Sequence, residues 1–451
     1  MKIGNTEQLL ERIREGRAMT RHEQLRLIID MSIPSILAQI SSVLMFFIDA
    51  SMVGHIGAKA SAAIGLVETT TWLFGGLVSA ASMGFSVQVA HAIGANDMAR
   101  ARRVLRQALV CTLIFSSMLA LVGVAIHGHL PYWLGGTSDI ARDSSLYFLI
   151  FTISAPLFQL ESLGGSMLKC SGNMKIPSIL NIMMCVLDVA FNYIFIFVCG
   201  LGVLGAALGT ALAFLVTATM MMYFLLFRSN HLAIMKYKGS FRPTADCIHT
   251  ALKIGAPMAL QHLLMGGAQI ISTVIVAPLG IMAIAANTFA ITVESICYMP
   301  GYGIAEAATT LVGQGIGAGQ KILTKSFARL SVVLGMAVMS FMGVLMWIFA
   351  PEMMSLMTPV EEIRLLGSSS LRIEAFAEPF FAAAIVCNGV FVGAGDTLRP
   401  AIMNLTSMWA VRLTLAALLA PTYGLQGVWT AMAIELTFRG TIFLIRLVRK
   451  F

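Results

Sequence analysis

Apolar residues fill this chain in long runs, broken by short polar turns that are often charged. The runs lack period-two alternation and exceed the ~20 residues a helix needs to cross hydrocarbon, so they predict membrane-spanning helices rather than barrel strands. Twelve can be placed. In the first half they lie near 27–52, 61–93, 108–128, 145–168, 178–198 and 203–227. In the second half they lie near 256–276, 283–313, 328–350, 370–392, 400–420 and 425–445. The longest interval between runs, 228–255, carries Arg228, Lys236, Lys238, Arg242, Pro243 and Lys253. The expected organisation is therefore a cytoplasmic segment (1–26), a six-helix lobe (27–227), a cytoplasmic linker (228–255), a second six-helix lobe (256–445) and a cytoplasmic tail (446–451).

Composition agrees with the pattern. Only 12% of the 451 residues are charged and 58% are hydrophobic, whereas a soluble domain carries about 25% charged residues. A cytosolic enzyme, a disordered chain and a nucleic-acid-binding domain are thereby excluded. The net charge of +8 reflects placement rather than an acidic partner. With the N-terminus inside, only Lys59, Arg142, Arg364 and Arg372 fall in outer loops, and Arg412 and Arg439 fall within spans. The other basic residues lie on the inner side, as the positive-inside rule expects. The segment 1–26 contains no apolar signal-peptide core. The reading is a multi-pass protein of the cell membrane with both termini cytoplasmic. Its seven cysteines show no CxxC and no metal-ligand spacing, so neither a disulfide framework nor a structural metal is expected.

The halves are copies. Sliding the chain along itself until Pro34 falls on Pro257 also places Gly57 on Gly280, Ile93-Gly94-Ala95 on Ile316-Gly317-Ala318, Pro156 on Pro379, Gly172 on Gly395 and Asn181 on Asn404. Each half has an even number of spans, so both enter from the same side. This is a parallel repeat about an axis along the membrane normal, with a substrate path expected between the halves.

Charge inside hydrocarbon must be compensated and is functional by default, so acids within spans are the first candidates. Asp49 lies near the outer end of helix 1. Asp188 and Asn192 are one turn apart in helix 5 and share a face. At 1.5 Å per residue from 178, Asp188 lies about 15 Å deep and Asn192 about 21 Å. Thr210, about 10 Å in from the outer end of helix 6, reaches nearly the depth of Asn192. Two carboxylates with amide and hydroxyl oxygens suit Na⁺, and a close carboxylate pair also suits a carried proton. In the second half, Glu294, Glu306, Glu374, Glu378 and Glu435 lie in spans. Glu435 and Arg439 read as a structural pair that Arg412 can join, and Glu374 and Glu378 read as reaching water at the outer end of helix 10. In the register of the repeat, Asp49 maps to Ser272, Asp188 to Val411 and Asn192 to Leu415. Coupling is accordingly expected in the first half alone.

Several strings then carry a family resemblance. They are Pro34 followed by "IDASMVGHIG", "VAHAIGAND" with its counterpart "LVGQGIGAGQ", and "CSGNMKIPSILNI" with "VGAGDTLRPAIMNL". With "LDVAFNYIFIF" and "GVLGAALGTA" they resemble the multidrug and toxic compound extrusion (MATE) family over roughly 30–445. The resemblance implies a V-shaped twelve-helix transporter exporting amphipathic, often cationic compounds in exchange for Na⁺ or H⁺. Its DinF-like branch implies cation binding at Asp49, Asp188, Asn192 and Thr210, although the helix 5 pair stands here in reversed order. The NorM-like branch implies a Glu in helix 7 and an Asp in helix 10. Helix 7 here has no acid, and the helix 10 position is Phe381.

Pro34 and Pro257 interrupt helices 1 and 7 at equivalent places and are candidate hinges. Met45, Asn181, Met184 and His262 are candidate substrate-cavity residues, since methionine gives adaptable, polarizable walls. "GLGVLGAALG" lacks the Lys and the strand–helix setting of a phosphate loop, so no nucleotide is expected. No organic cofactor is expected, and the partners are small drug-like molecules and the bilayer, for a monomeric chain. The competing functions are a lipid-linked precursor flippase, a channel or scaffold, and an intramembrane enzyme. A flippase of anionic headgroups needs several cavity Arg or Lys, and no nucleophile–base cluster supports catalysis.

Overall fold

The computed structural model describes residues 3–451, with side chains from residue 6 onward. Among these residues every regular element is helical. The chain opens with an amphipathic helix, α1 (Ile3–Glu15), whose Leu9, Leu10 and Ile13 are buried. It is tied to the next helix, α2 (Arg21–Ile56), by the Arg12–Glu23 ion pair at 2.7 Å. Thr20 and Glu23 cap α2 reciprocally. The Glu23 N–H donates to Thr20 Oγ1 and the Thr20 N–H to Glu23 Oε2, at 3.2 and 2.9 Å.

The first half continues with α3 (Ala58–Gly94), α4 (Met98–Ile126), the short α5 (Leu130–Trp133), α6 (Ser138–Ile153), α7 (Ala155–Cys170), α8 (Lys175–Tyr193) and α9 (Val203–Tyr223). The second half comprises α10 (Ala245–Val276), α11 (Ile281–Gly317), α12 (Lys321–Met357), α13 (Glu361–Ala375), α14 (Glu378–Gly393), α15 (Leu398–Thr406), α16 (Thr414–Tyr423) and α17 (Leu425–Lys450). Wider π-type turns follow α8 (Ile194–Val198) and α9 (Phe224–Arg228) and join α15 to α16 (Ser407–Leu413).

Among the described residues, nine helices are long and apolar enough to cross a membrane. Two bent pairs, α6–α7 at 47° and α13–α14 at 61°, raise the number to eleven. The twelfth expected span is α17, which is 26 residues long but carries Glu435 and Arg439 at mid-length. Exposed faces are apolar, as lipid contact requires: Ile114, Met118, Leu121 and Val122 on α4, and Phe341, Val344 and Ile348 on α12.

The duplication is visible in the backbone. Both α3 and α11 have 37 residues, and α7 and α14 both have 16. The turns between spans keep the same left-handed residues in the register of the repeat. Gly57 pairs with Gly280, Asn96 with Gly319 and Gly172 with Gly395, all at positive φ. A side chain with Cβ is strained there, which is why glycine recurs.

Two compact units divide the chain elsewhere than the lobe boundaries drawn from hydropathy. One comprises residues 1–40 and 260–451, the other residues 41–259. The N-terminal halves of the two proline-bearing helices account for the difference. In the first unit, Gly303 of α11 lies so close to Ile36 of α2 that a Cβ would meet its backbone nitrogen at 2.7 Å. In the second, Gly255 of α10 lies against the Ala80 carbonyl of α3. The interval 228–255 is held against α4 rather than hanging free. Arg106 Nη2 donates to the Tyr237 carbonyl at 2.7 Å, and Arg102 lies 3.9 Å over the Tyr237 ring.

Candidate cation and substrate sites

Three helices of the 41–259 unit bring the expected cation ligands together. Asp49 comes from the C-terminal part of α2, Asp188 and Asn192 from successive turns of α8, and Thr210 from the first half of α9. Asn192 Nδ2 donates to Asp49 Oδ1 and to Asp188 Oδ2, both at 3.2 Å, so one amide bridges the two carboxyl groups. The Thr210 side chain lies close enough to Asp188 to act on its carboxyl group. Asp188 is completely buried and Asn192 is 2% exposed. Asp188 Oδ1 and Asn192 Oδ1 are buried without a protein hydrogen-bond partner.

Glycine makes the approach possible. A Cβ at Gly209 would strike Asn192 Oδ1 and come within 2.8 Å of its backbone nitrogen. Gly209 thus lets α9 close on α8 and set Thr210 beside the acids. The order of Asp and Asn along α8 does not prevent the gathering, because residues one turn apart present the same face.

The proposed cavity residues fare unequally. Asn181, on the same helix, donates to Ser42 Oγ at 3.4 Å and is half-buried. Met45 lies one turn before Asp49 and is half-buried, whereas Met184 is buried in the packing. His262 is exposed and belongs to the other unit, so the structure does not gather it with these residues. Pro34 and Pro257 both lie inside continuous helices, α2 and α10.

The second half departs from expectation. Glu374 and Glu378 do not reach water: both are completely buried. Glu374 lies in the last turn of α13 and Glu378 opens α14, on either side of the 61° bend. Glu294 of α11 completes a group in which one oxygen from each carboxyl group lies within 4.8 Å of the others. The second half is therefore not a neutral copy of the first. The signal available in the sequence was Pro379, which favours a helix start at this point.

Glu435 is buried among cations, as expected. Arg439 Nη2 lies 2.6 Å from Glu435 Oε1 and Arg412 Nε lies 3.1 Å from Oε2. Ser407 Oγ adds a hydrogen bond at 2.5 Å. Glu306, which hydropathy left without a role, accepts hydrogen bonds from Ser35 Oγ and from Gln39 Nε2 on α2, the latter at 3.3 Å. Glu68 is exposed and accepts from Trp72 Nε1 at 3.3 Å.

This assembly defines an internally duplicated, all-helical, multi-pass membrane protein with buried acids in both halves. The profile of the MatE family matches residues 34–194 and 257–418, two segments that start on the equivalent prolines Pro34 and Pro257. The chain belongs to the MATE family. It is 26% identical over 422 residues to the probable multidrug resistance protein NorM of Thermotoga maritima, covering 92% of this chain and 90% of that protein. It is 24% identical over 442 residues to the multidrug resistance protein MdtK of Yersinia pseudotuberculosis, covering 94% of each. These names lend no support to the DinF-like branch assignment.

Among solved structures, a MATE protein in the straight conformation superposes with a TM-score of 0.91 at 20% identity, covering 98% of this chain and 97% of that one. An outward-facing multidrug resistance MATE family transporter of the MOP superfamily gives 0.90 at 20%, covering 95% and 96%. At that identity the likeness speaks for the fold.

Proposed function

We propose that this protein is a secondary active multidrug exporter of the cell membrane. It exchanges amphipathic, often cationic compounds for Na⁺ or H⁺ by alternating access. The observation that carries this reading is the Asp49–Asn192–Asp188 bridge, with Asp188 and Asn192 buried, Asp49 half-buried and Thr210 beside it. A cation entering this cluster is held by two carboxyl groups and two neutral oxygens, a hard oxygen set suited to Na⁺. A cationic drug and the coupling cation then draw on the same negative charge, so occupancy by one disfavours the other. A ligand shifts a conformational equilibrium only by its differential affinity for the two states, and a desolvated acid pair supplies that difference.

Two lobes, 27–227 and 256–445, joined by the 228–255 linker, with both termini cytoplasmic and a monomeric chain, complete the proposal. Pro34 and Pro257 serve as hinges, and Met45, Asn181 and Met184 contribute to the drug pocket. A flippase is disfavoured because Arg412 and Arg439 both pair with Glu435, leaving no basic cavity for an anionic headgroup among these spans. The test is efflux of a fluorescent organic cation from proteoliposomes, with Na⁺ and pH gradients imposed separately. Export that responds to neither gradient overturns the reading.

A further inference from the structure

Glu68 is an exposed acid on α3, a helix long and apolar enough to cross a membrane. It lies about 10 Å inside the span expected from residue 61. A carboxyl group at that depth is costly against hydrocarbon and belongs in the bundle interior or a water-filled space. Among the described residues no Lys or Arg forms an ion pair with it. Its partner is Trp72, one turn further on, whose Nε1 donates to Glu68 Oε1 at 3.3 Å and holds the indole beside the acid. Phe46 of α2 brings a second ring, its centroid 5.1 Å from that of Trp72 and the two planes inclined at 39°.

Neither membrane anchoring nor the repeat accounts for this trio. Trp72 is 57% exposed and Phe46 48%. An anchoring tryptophan sits at the end of its span, whereas Trp72 lies about 16 Å inside the expected one, roughly halfway through a ~30 Å core. In the register of the repeat, Phe46, Glu68 and Trp72 map to Gln269, Ile291 and Ser295, so the duplicated scaffold does not require them. Tyr147 of α6 lies within electrostatic reach of Asp188, Asp49 and Glu68 together, which sets the trio near the coupling cluster. All of these residues belong to the 41–259 unit. An acid beside two open aromatic faces attracts a cation by its charge and by the ring quadrupoles, of which tryptophan's is the strongest.

We propose that Glu68, Trp72 and Phe46 form a recognition subsite for the head of a lipophilic organic cation, a quaternary ammonium or phosphonium ion. Such a head is wrapped in carbon and has no N–H to donate, so charge and ring faces are what a protein can offer it. The proposal rests on the exporter reading above and adds to it the residues that tell drug from coupling ion. Asp49, Asp188, Asn192 and Thr210 present oxygens to a small hard ion, whereas Glu68 and the two rings present a broad, soft face to a large one. The charge of Glu68 adds to the negative charge on which both cations draw.

The experiment measures equilibrium binding of radiolabelled tetraphenylphosphonium to the purified full chain in detergent. E68Q keeps an oxygen for the indole N–H and removes only the charge. W72L keeps apolar bulk and removes the ring. Each is expected to weaken binding about tenfold, the scale of one nearby charge or one cation–π contact. W72F, which restores an aromatic face, should recover most of the affinity. Should W72L fail to elute as the parent on gel filtration, F46L reports on the second ring, with a loss of a few-fold expected. No binding by the parent overturns the subsite, as does affinity within twofold of the parent in both E68Q and W72L. Loss in E68Q alone overturns the role of the rings, as does a loss in W72F equal to that in W72L. Loss in W72L alone overturns the role of the charge. Binding that depends on these side chains, in a chain whose efflux responds to neither Na⁺ nor pH, sinks the exporter reading and leaves the subsite standing. Gradient-driven efflux with binding unchanged in E68Q and W72L sinks the subsite alone, so the two failures are distinguishable.

Discussion

Replacing Asp188 with Asn tests the coupling assignment most directly. The substitution keeps shape and leaves a carbonyl oxygen where Asp188 Oδ2 accepts from Asn192 Nδ2 at 3.2 Å. The structural cost is therefore about that of one altered hydrogen bond, ~1 kcal/mol. The electrostatic cost is larger. At about 4 Å and an effective dielectric of roughly 20, one unit charge interacts with another by about 4 kcal/mol. Losing it lowers cation affinity about a thousandfold, since each ~1.4 kcal/mol is tenfold. Asp49 remains but cannot replace it, because it is a single charge and Asn192 Nδ2 already donates to it. Gradient-driven efflux of a fluorescent organic cation should fall to background in D188N proteoliposomes, with gel-filtration profile and thermal midpoint near those of the parent. Efflux within twofold of the parent, with an unshifted dependence on Na⁺ or pH, would refute the reasoning.

Other perturbations reach separate parts of the molecule. Gly209→Ala should push α9 off Asn192, lowering efflux at least tenfold while membrane insertion persists, as read by expression and transport together. Glu435→Ala leaves the buried Arg439 guanidinium without its carboxylate and should destabilise by about 3–5 kcal/mol; a drop of several degrees in thermal gel filtration checks it, and Arg412→Gln should cost much less. Pro34→Ala restores a backbone N–H toward the Asp30 carbonyl and is expected to slow turnover without weakening cation binding, measured by efflux and ²²Na⁺ binding in parallel. Asp396 lies in the turn before α15. Partial burial pushes its carboxyl group up, but hydrogen bonds and charge from Lys450 and Arg446 hold it below the usual carboxylate range. Its contribution is present above the ordinary value of 3.8 and lost as pH falls through the lower folded value. The stability gap between parent and Asp396→Asn should therefore be full at neutral pH and close below about pH 4.

Much of the architecture was legible because its signals are local and repeated. Span length and the register of the repeat follow from hydropathy and glycine placement, and the positive-φ turns at Gly57/Gly280 and Gly172/Gly395 show why those glycines recur. Part of the Asp49, Asp188, Asn192 and Thr210 cluster was also accessible, since helical rise puts Asn192 and Thr210 at nearly the same depth and Asp188 shares a face with Asn192, while the full set came from the family resemblance. The glutamate trio was not. Glu374 and Glu378 appear on a continuous i, i+4 face only if helix 10 is straight, and the 61° bend redirects both inward. Glu294 comes from α11, with the whole of α12 intervening before α13, and no local pattern encodes that approach. Gly209 was equally silent, because a glycine within a small-residue run looks like any other until its neighbour is known.

The remaining step concerns α2, where two kinds of contact meet on one helix. Its C-terminal part carries Asp49, held by Asn192. Its N-terminal part carries Ser35 and Gln39, both donating to Glu306. Pro34 stands at the N-terminal edge of that second contact, and roughly four turns along the helix, about 22 Å, separate it from Asp49. A helix transmits axial displacement well but yields at a proline, where one ladder hydrogen bond is missing. On the proposal that a cation binds at Asp49, its occupancy can bias the N-terminal segment of α2 only if the Ser35–Gln39 stretch stays fixed to α11 or releases as a unit. The Glu306 hydrogen bonds and the close Ile36–Gly303 contact favour the first behaviour. On the proposal that Pro34 is a hinge, bending is expected N-terminal to Ser35, and that hinge would depend on Glu306 as much as on the proline itself.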